Sequence, residues 1–540
     1  MSTATAVDER ETPAGRPSVR DRLAGLPWGW IGPLLVAAFA GLLVFNRLDA
    51  PHTIIWDETY YAKDSYSLLH FGVEQNWKDF QQGNPANGYF LSGRPEMGLR
   101  YGGAFVVHPP LGKWFIAIGI ALFGTDPFAF RFMSAIAGVL CVLILARIAR
   151  RMTGSTLLGC AAGLLMALDG IWLVAGRVAM LDIFLLMWIL AGVGCLVVDR
   201  DKTREALAAK SEGKGPSGPF VWHGWRIGAA VCFGLACGTK WSGVYPLAFF
   251  WALALVWDRN ARKAAGAARP SRDMLKLDML PSLVTVGAVS VVTYVATWWG
   301  WLISGTGLQK ALYGDDLPGG RAIAGFQRDW ADHHPSTLWP TFLNPIRSLW
   351  HYHKVIFDFH ESVTSPNPGQ SWPWDWPIVK EPALMYHARP VPGQNGCGAT
   401  WCVSEVLDLG NPAIWWVSIG AMLALVLMAF FVRDWRIAVT VGGYAACWLP
   451  WFPSGFADRT MYSSYALPML PFAVLAIVLL FDRLRTRFRE EGRTPGWLSA
   501  GGVVYLLVAA SALWYFHSIL TAKTIPGSEY EARLWWHGHL

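Results

Sequence analysis

Charge is scarce in this chain. Of its 540 residues, 15% are Asp, Glu, Lys or Arg, whereas 53% are hydrophobic and mean hydropathy is positive. Soluble domains carry a larger charged share and a smaller apolar one, so an ordinary soluble enzyme is excluded. A convincing internal repeat is also missing, which weighs against a transporter built from repeated halves. Cysteine is sparse, at eight residues. No second Cys pair or well-spaced His pair accompanies them, so a zinc-type site is not expected. No small-residue cleavage site follows the first hydrophobic run, which is therefore not read as a removable signal peptide. Tryptophan, in contrast, is abundant at 31 residues, as expected where rings anchor at headgroup depth.

These properties predict an all-α integral membrane protein. About twenty apolar residues cross the hydrocarbon core, and that measure gives about eleven spans. They run over 28–46, 131–147, 154–169, 178–198, 226–241, 243–257, 281–303, 413–432, 437–452, 465–481 and 497–517. The apolar run 113–124 is too short to cross comfortably and reads as a surface helix or partial insertion. With the N-terminus in the cytoplasm, Arg10, Arg16, Arg20 and Arg22 fall inside together with Arg147, Arg150 and Arg151. Arg200, Lys202 and Arg204, then Arg259, Arg262 and Lys263, then Arg433 and Arg436 join them, followed by Arg483, Arg485, Arg487, Arg489 and Arg493. This is the positive-inside pattern. It accounts for the net charge of +7 without a nucleic-acid partner.

The organisation expected is a cytoplasmic tail over 1–27, a membrane module over 28–303, a large loop over 304–412, further spans over 413–517 and a tail over 518–540. The first outer loop, 47–130, lies within the membrane module. Both long loops and the last tail face outward, and 1–20 and 205–220 read as polar, flexible stretches. Cys141, Cys160, Cys195, Cys232, Cys237 and Cys447 fall in predicted spans and read as apolar filler. Cys397 and Cys402 lie in the large outer loop, where an oxidising compartment permits a disulfide.

Chemistry-bearing residues gather on the outward side. Asp57 and Glu58 follow the first span, and carboxylates that close to a membrane boundary invite a functional explanation. Two readings stay open and are compatible: a helix N-cap pair, and a base that takes a proton from an attacking hydroxyl. His108-Pro109-Pro110 stiffens the chain and lets a helix begin at Leu111. Lys113 on that helix is placed to snorkel toward lipid phosphate or to mark the interface. Arg177 and Asp182 read either as a buried ion pair or, for the guanidinium, as a ligand for an anionic headgroup. Lys240 again sits at an outward end, so Lys113, Arg177 and Lys240 together are expected to surround one phosphate. Asp458-Arg459 offers another polar contact. His351, His353 and His360 lack a familiar zinc spacing. The tryptophans around Trp374 suit either a membrane-surface belt or a platform for a sugar or peptide.

Taken together, the chain resembles the bacterial, actinobacterial-type protein O-mannosyltransferases. The resemblance rests on Asp57-Glu58, the run from His108 to Lys113, Asp169 through Arg177 to Asp182, and Lys240-Trp241. It extends to Tyr352-His353, His360 and Trp374-Asp375-Trp376-Pro377, covering roughly residues 50–380. It implies a GT-C-type glycosyltransferase of the plasma membrane that moves mannose from a polyprenyl phosphate to Ser or Thr hydroxyls of exported polypeptides, with the protein secretion channel as a plausible partner. It further implies Asp57 as base, with Glu58 positioning acceptor or donor, and Arg177, Lys240 and Lys113 holding the phosphate. His108, Asp169, Asp182, Tyr61, His353, His360 and Trp374 then line the donor or acceptor pocket. No metal or other cofactor is required by that chemistry. The large loop is too short for the repeated sugar-binding-like insert of eukaryotic relatives, and the Cys397–Cys402 pair is outside the shared pattern. The alternatives are another lipid-dependent GT-C enzyme, of the aminoarabinose type, and a membrane transporter.

Overall fold

The computed structural model describes residues 26–78, 85–211, 221–367, 369–493 and 495–535. Most of the expected N-terminal tail, with its four arginines, part of the 205–220 stretch and the last five residues lie outside these.

Each predicted span overlaps a helix. The first half contains α1 (Trp28–Phe45), α2 (Glu58–Phe71), α3 (Leu111–Phe123), α4 (Pro127–Thr153), α5 (Thr156–Ala167), α6 (Gly170–Ala175), α7 (Asp182–Ser211) and α8 (Gly224–Thr239). The second contains α9 (Val244–Ala264), α10 (Leu280–Thr297), α11 (Asn344–Ser362), α12 (Pro412–Phe431), α13 (Trp435–Trp448), α14 (Leu470–Glu490) and α15 (Gly496–Leu520). Among the described residues, seven helices are long and apolar enough to cross a membrane, including a continuous stretch from Pro270 through α10 and another from Ser463 through α14. At 12, 16 and 14 residues, α5, α8 and α13 are shorter than a full span. The remaining predicted span, α9, ends in Arg262 and Lys263. The helix at 182 extends well past the predicted end at 198, because a helix can continue into water on polar residues that a hydropathy window does not register.

Local chemistry sets the ends. Asp126 caps α4, accepting the Ala129 N–H at 2.9 Å, and Pro127 occupies the first helical position, where its missing N–H costs nothing. Gly154 closes that helix in a left-handed conformation, φ 69°, which glycine adopts without a Cβ penalty. α3 starts at Leu111, as Pro109-Pro110 predicts.

The chain alternates direction, so the two long loops gather on one face, the loop face. They carry strands that sequence reading did not anticipate. β1 (Gln75–Trp77) pairs antiparallel with β2 (Leu99–Gly103). β3 (Ala383–Ala388), β4 (Cys402–Asp408) and β5 (Ile525–Pro526) form a three-stranded antiparallel sheet that fastens the C-terminal segment to the large loop. Cys397 and Cys402 are disulfide-bonded at its edge. The interior is a continuous apolar core in which the stretch from Ser463 through α14 and then α7 are the most enclosed spanning helices, with Trp172 and Trp415 buried nearby.

A candidate active site on the loop face

The acidic pair at the start of α2 divides into two unlike environments. Glu58 is fully buried, and its carboxylate accepts Nε and Nη2 of Arg131 at 2.7 and 2.9 Å. It also accepts the Ile55 and Ala179 N–H groups, both at 3.0 Å. Arg131 is equally buried and donates to the carbonyls of Leu48, Pro51 and Thr53. This shell ties the first loop to α4 and to the turn before α7. Glu58 is thus a framework residue, correcting the expectation that it positions a substrate; the lone arginine inside an apolar span gave no sign of its partner.

Asp57 occupies the N-cap position of α2 but makes no capping hydrogen bond. Its Oδ2 accepts the Tyr61 hydroxyl at 3.3 Å. Trp56 just before it is left-handed, φ 47°, a conformation costing a bulky residue roughly 1–2 kcal/mol. Its ring packs edge-on against Tyr462, centroids 5.0 Å apart. The resulting turn sends Glu58 inward and leaves Asp57 half-buried within the electrostatic reach of Lys240 and Asp182. Burial raises the Asp57 pKa to about 6; Lys240 and the Tyr61 hydroxyl oppose that rise and Asp182 adds to it. At neutral pH such a carboxylate is mostly ionised and still a competent proton acceptor.

Beside it opens a cavity of about 680 Å³ among the loop-face ends of α7 to α11 and the turn before α14. Its body is apolar, with Leu185, Ile189, Leu247, Val291 and Pro468. Its rim carries the cations Lys240 and Arg459, the carboxylates Asp182 and Glu361, and His108, His353, His360 and Tyr465. Val244, Tyr245, Val291 and Phe357 line it and are also exposed, so it opens sideways onto the surface of the helical bundle. Lys240 Nζ donates to both Asp182 oxygens at 2.9 and 2.8 Å and lies 5.2 Å from the Tyr465 ring centroid. Arg459 donates through Nε to the His360 carbonyl at 3.0 Å, and no described carboxylate pairs with it. Burial and the cations Lys240, Lys113 and Arg459 push the His108 pKa well below the usual imidazole range, so it stands neutral. His353 is held by the Tyr294 hydroxyl and stacks on Trp241, and His360 bonds to the Val107 carbonyl.

The three expected phosphate ligands are not brought together. Lys113 is buried beneath the loop, where Glu74 and Asp64 neutralise it. Arg177 donates to the carbonyls of Val44, Asn46 and Arg47, bracing the end of α1, and does not pair with Asp182. Only Lys240 remains at the cavity, joined there by Arg459. Asp169 is likewise structural: it caps α6 and accepts the Asn411 N–H and Trp415 Nε1. Tyr61 reaches the site through Asp57 and through His108, whose ring centroid lies 6.3 Å from its own. Trp374 lies outside the cavity lining, stacked between Trp372 and Phe456. On the opposite face His223, Asp258 and Asp278 come close enough to share an ion, but Arg226 and Arg262 occupy both carboxylates.

A mainly helical membrane bundle with its carboxylate, cations and laterally open cavity on one loop-bearing face defines a class, the multi-pass GT-C glycosyltransferases. In fold, the chain matches a chain of the S. cerevisiae protein O-mannosyltransferase Pmt1–Pmt2 complex bound to the sugar donor, with a TM-score of 0.66 and 13% identity, over 95% of this chain and 93% of that one. Residues 125–269 match the dolichyl-phosphate-mannose-protein mannosyltransferase profile, and 345–539 match that of the C-terminal four-transmembrane region of protein O-mannosyltransferases. The polyprenol-phosphate-mannose–protein mannosyltransferase of Mycolicibacterium smegmatis is 36% identical over 94% of this chain and 92% of its own length. That of Corynebacterium glutamicum is 30% identical over 95% and 93%. The chain belongs to the protein O-mannosyltransferase family.

Proposed function

We propose that this protein transfers mannose from a polyprenyl-phosphate-mannose to Ser or Thr hydroxyls of exported polypeptides, at the outer face of a bacterial plasma membrane. The observation that carries this reading is one juxtaposition: Asp57, a carboxylate with no described ion-pair partner, lies within electrostatic reach of Lys240 and Asp182 at the edge of a cavity with an apolar body, a lateral opening and two cations, Lys240 and Arg459, on its rim. A prenyl chain fits the apolar body and enters from the side, placing its phosphate at Lys240 and Arg459. The basic loops on the opposite face support a cytoplasmic location for that face. Acceptors then meet the enzyme on the loop face as they emerge, and the protein secretion channel is a natural source of them.

The step is a single inverting displacement. The acceptor oxygen bonds to the anomeric carbon as the bond from that carbon to the phosphate oxygen breaks, and the electron pair leaves with the polyprenyl phosphate. Asp57 takes the hydroxyl proton. Arg459 and Lys240 stabilise the charge that develops on the leaving phosphate, in a site already partly cleared of water. Neutral His108 and His360 shape the rim without competing for that charge. Two cations at the phosphate supply what a divalent metal would otherwise provide, so the step proceeds without one. The test uses purified protein, radiolabelled polyprenyl-phosphate-mannose and a Thr- and Pro-rich peptide, with chelator present. Labelled peptide is expected. Transfer that requires added Mg²⁺ or Mn²⁺ overturns the metal-free step, and no transfer beside a working positive control overturns the donor.

A further inference from the structure

α11 presents three faces. Ser348, Leu349, Tyr352 and Ile356 pack on the protein. The Tyr352 ring lies 5.9 Å from that of Trp298, and its hydroxyl meets the Val106 N–H at 2.8 Å. At about 100° per residue, Ile346, Trp350 and Phe357 fall within an arc of about 40°, well away from that packed face. They are 44%, 72% and 53% exposed. Arg347, Lys354 and Asp358 occupy the next sector. Just before the helix, Phe342 is 76% exposed and extends the apolar stripe.

The surroundings of the stripe identify what covers it. α11 rests on the loop-face end of the spanning helix α10, through His353 on Tyr294 and Tyr352 on Trp298. That end is where a bilayer meets its headgroups. Phe357, the last residue of the stripe, also lines the cavity beside exposed Val291 and Tyr245. The stripe is therefore continuous with the lipid-facing surface of the bundle. Helices with a Trp- and Phe-bearing face flanked by charge lie in the plane of the interface.

We propose that α11 is docked in the outer leaflet through Phe342, Ile346, Trp350 and Phe357, and that this docking holds His353 and His360 over the mouth of the cavity. The partner is the lipid surface itself. The docking itself does not depend on the identity of the sugar donor, while its link to the cavity rests on the proposed function.

The experiment places single cysteines at Trp350→Cys and Lys354→Cys, labels them with an environment-sensitive dye, and reconstitutes the full chain in phosphatidylglycerol–phosphatidylethanolamine vesicles carrying spin-labelled lipid. The unsubstituted chain gives the background from native cysteines. The label at 350 is expected to shift to the blue and be quenched by lipid, while that at 354 answers to aqueous iodide. Equal iodide quenching at both sites overturns the proposal. So does a label at 350 shielded from iodide but untouched by spin-labelled lipid, since a second protein surface then covers the stripe. In parallel, Ile346→Asp is expected to raise the KM for lipid-linked donor several-fold in vesicles and less in detergent, with thermal stability in detergent unchanged. An unchanged KM in vesicles overturns the link between docking and the cavity.

Discussion

Glu58→Gln distinguishes a framework carboxylate from one that handles substrate. Glu58 and Arg131 are both fully buried and joined by two charge-assisted bonds at 2.7 and 2.9 Å. Glutamine keeps the shape but leaves the guanidinium without a counter-charge. The Ile55 and Ala179 N–H groups bond to different carboxylate oxygens, so its single oxygen can accept only one of them and its NH2 faces the other donor. Breaking one side of a buried pair costs about 3–5 kcal/mol. The three carbonyls that also solvate Arg131 reduce that loss, and the amide NH2 set against a donor adds to it. Replacing both partners, as in Glu58→Gln with Arg131→Met, removes the stranded charge and recovers part of it. The assay is thermal unfolding in detergent for the four members of this double-mutant cycle, alongside mannosyl transfer. The account expects a large loss of stability in Glu58→Gln, a smaller one in the double variant, and transfer that tracks the folded fraction. A Glu58→Gln protein as stable as wild type but inactive would refute the framework role and restore Glu58 to the substrate.

Three further outcomes follow from the site. Transfer should fall as pH drops through about 6, because the base form of Asp57 is lost there; Lys240→Met should move that limb to higher pH, since Lys240 opposes the upward shift, and a limb near 4 in wild type contradicts the assignment. Arg459→Gln should weaken donor binding by about 10-fold or more, the worth of a charged hydrogen bond at roughly 1.5–3 kcal/mol, seen as a raised KM in transfer kinetics. Lys113→Met should lower thermal stability by leaving Glu74 and Asp64 unpaired, while donor affinity per folded molecule stays the same by equilibrium binding.

Much of the architecture was legible because hydropathy runs and Lys/Arg bias are local signals. The helix at Leu111 was legible because Pro109 and Pro110 act on their immediate neighbours. Asp57 stood out by its position at a membrane boundary, and Lys240 by its place at a span end. What escaped were partnerships. Nothing local to Arg131 shows that it pairs with a carboxylate 73 residues earlier, and nothing local to Arg177 shows that backbone carbonyls take it from Asp182. Position in sequence put all three cations on one side of the membrane and said nothing of their depth, so Lys113, beneath the loop, and Lys240, at the cavity, looked alike. The β3–β5 sheet was missed because its last strand comes from the C-terminal segment, and short strands inside a polar loop give little periodicity to read.

The central claim is that Asp57 takes the proton. Asp57→Asn preserves volume and the bond from Tyr61, and because ionising a carboxylate of raised pKa costs folded-state stability at neutral pH, the variant should be at least as stable as wild type. The decisive measurement is single-turnover transfer from radiolabelled polyprenyl-phosphate-mannose by Asp57→Asn, with donor binding and thermal stability measured on the same sample. The account predicts a rate lower by about 10²–10⁴ with binding and folding intact. A rate within a few-fold of wild type would contradict it.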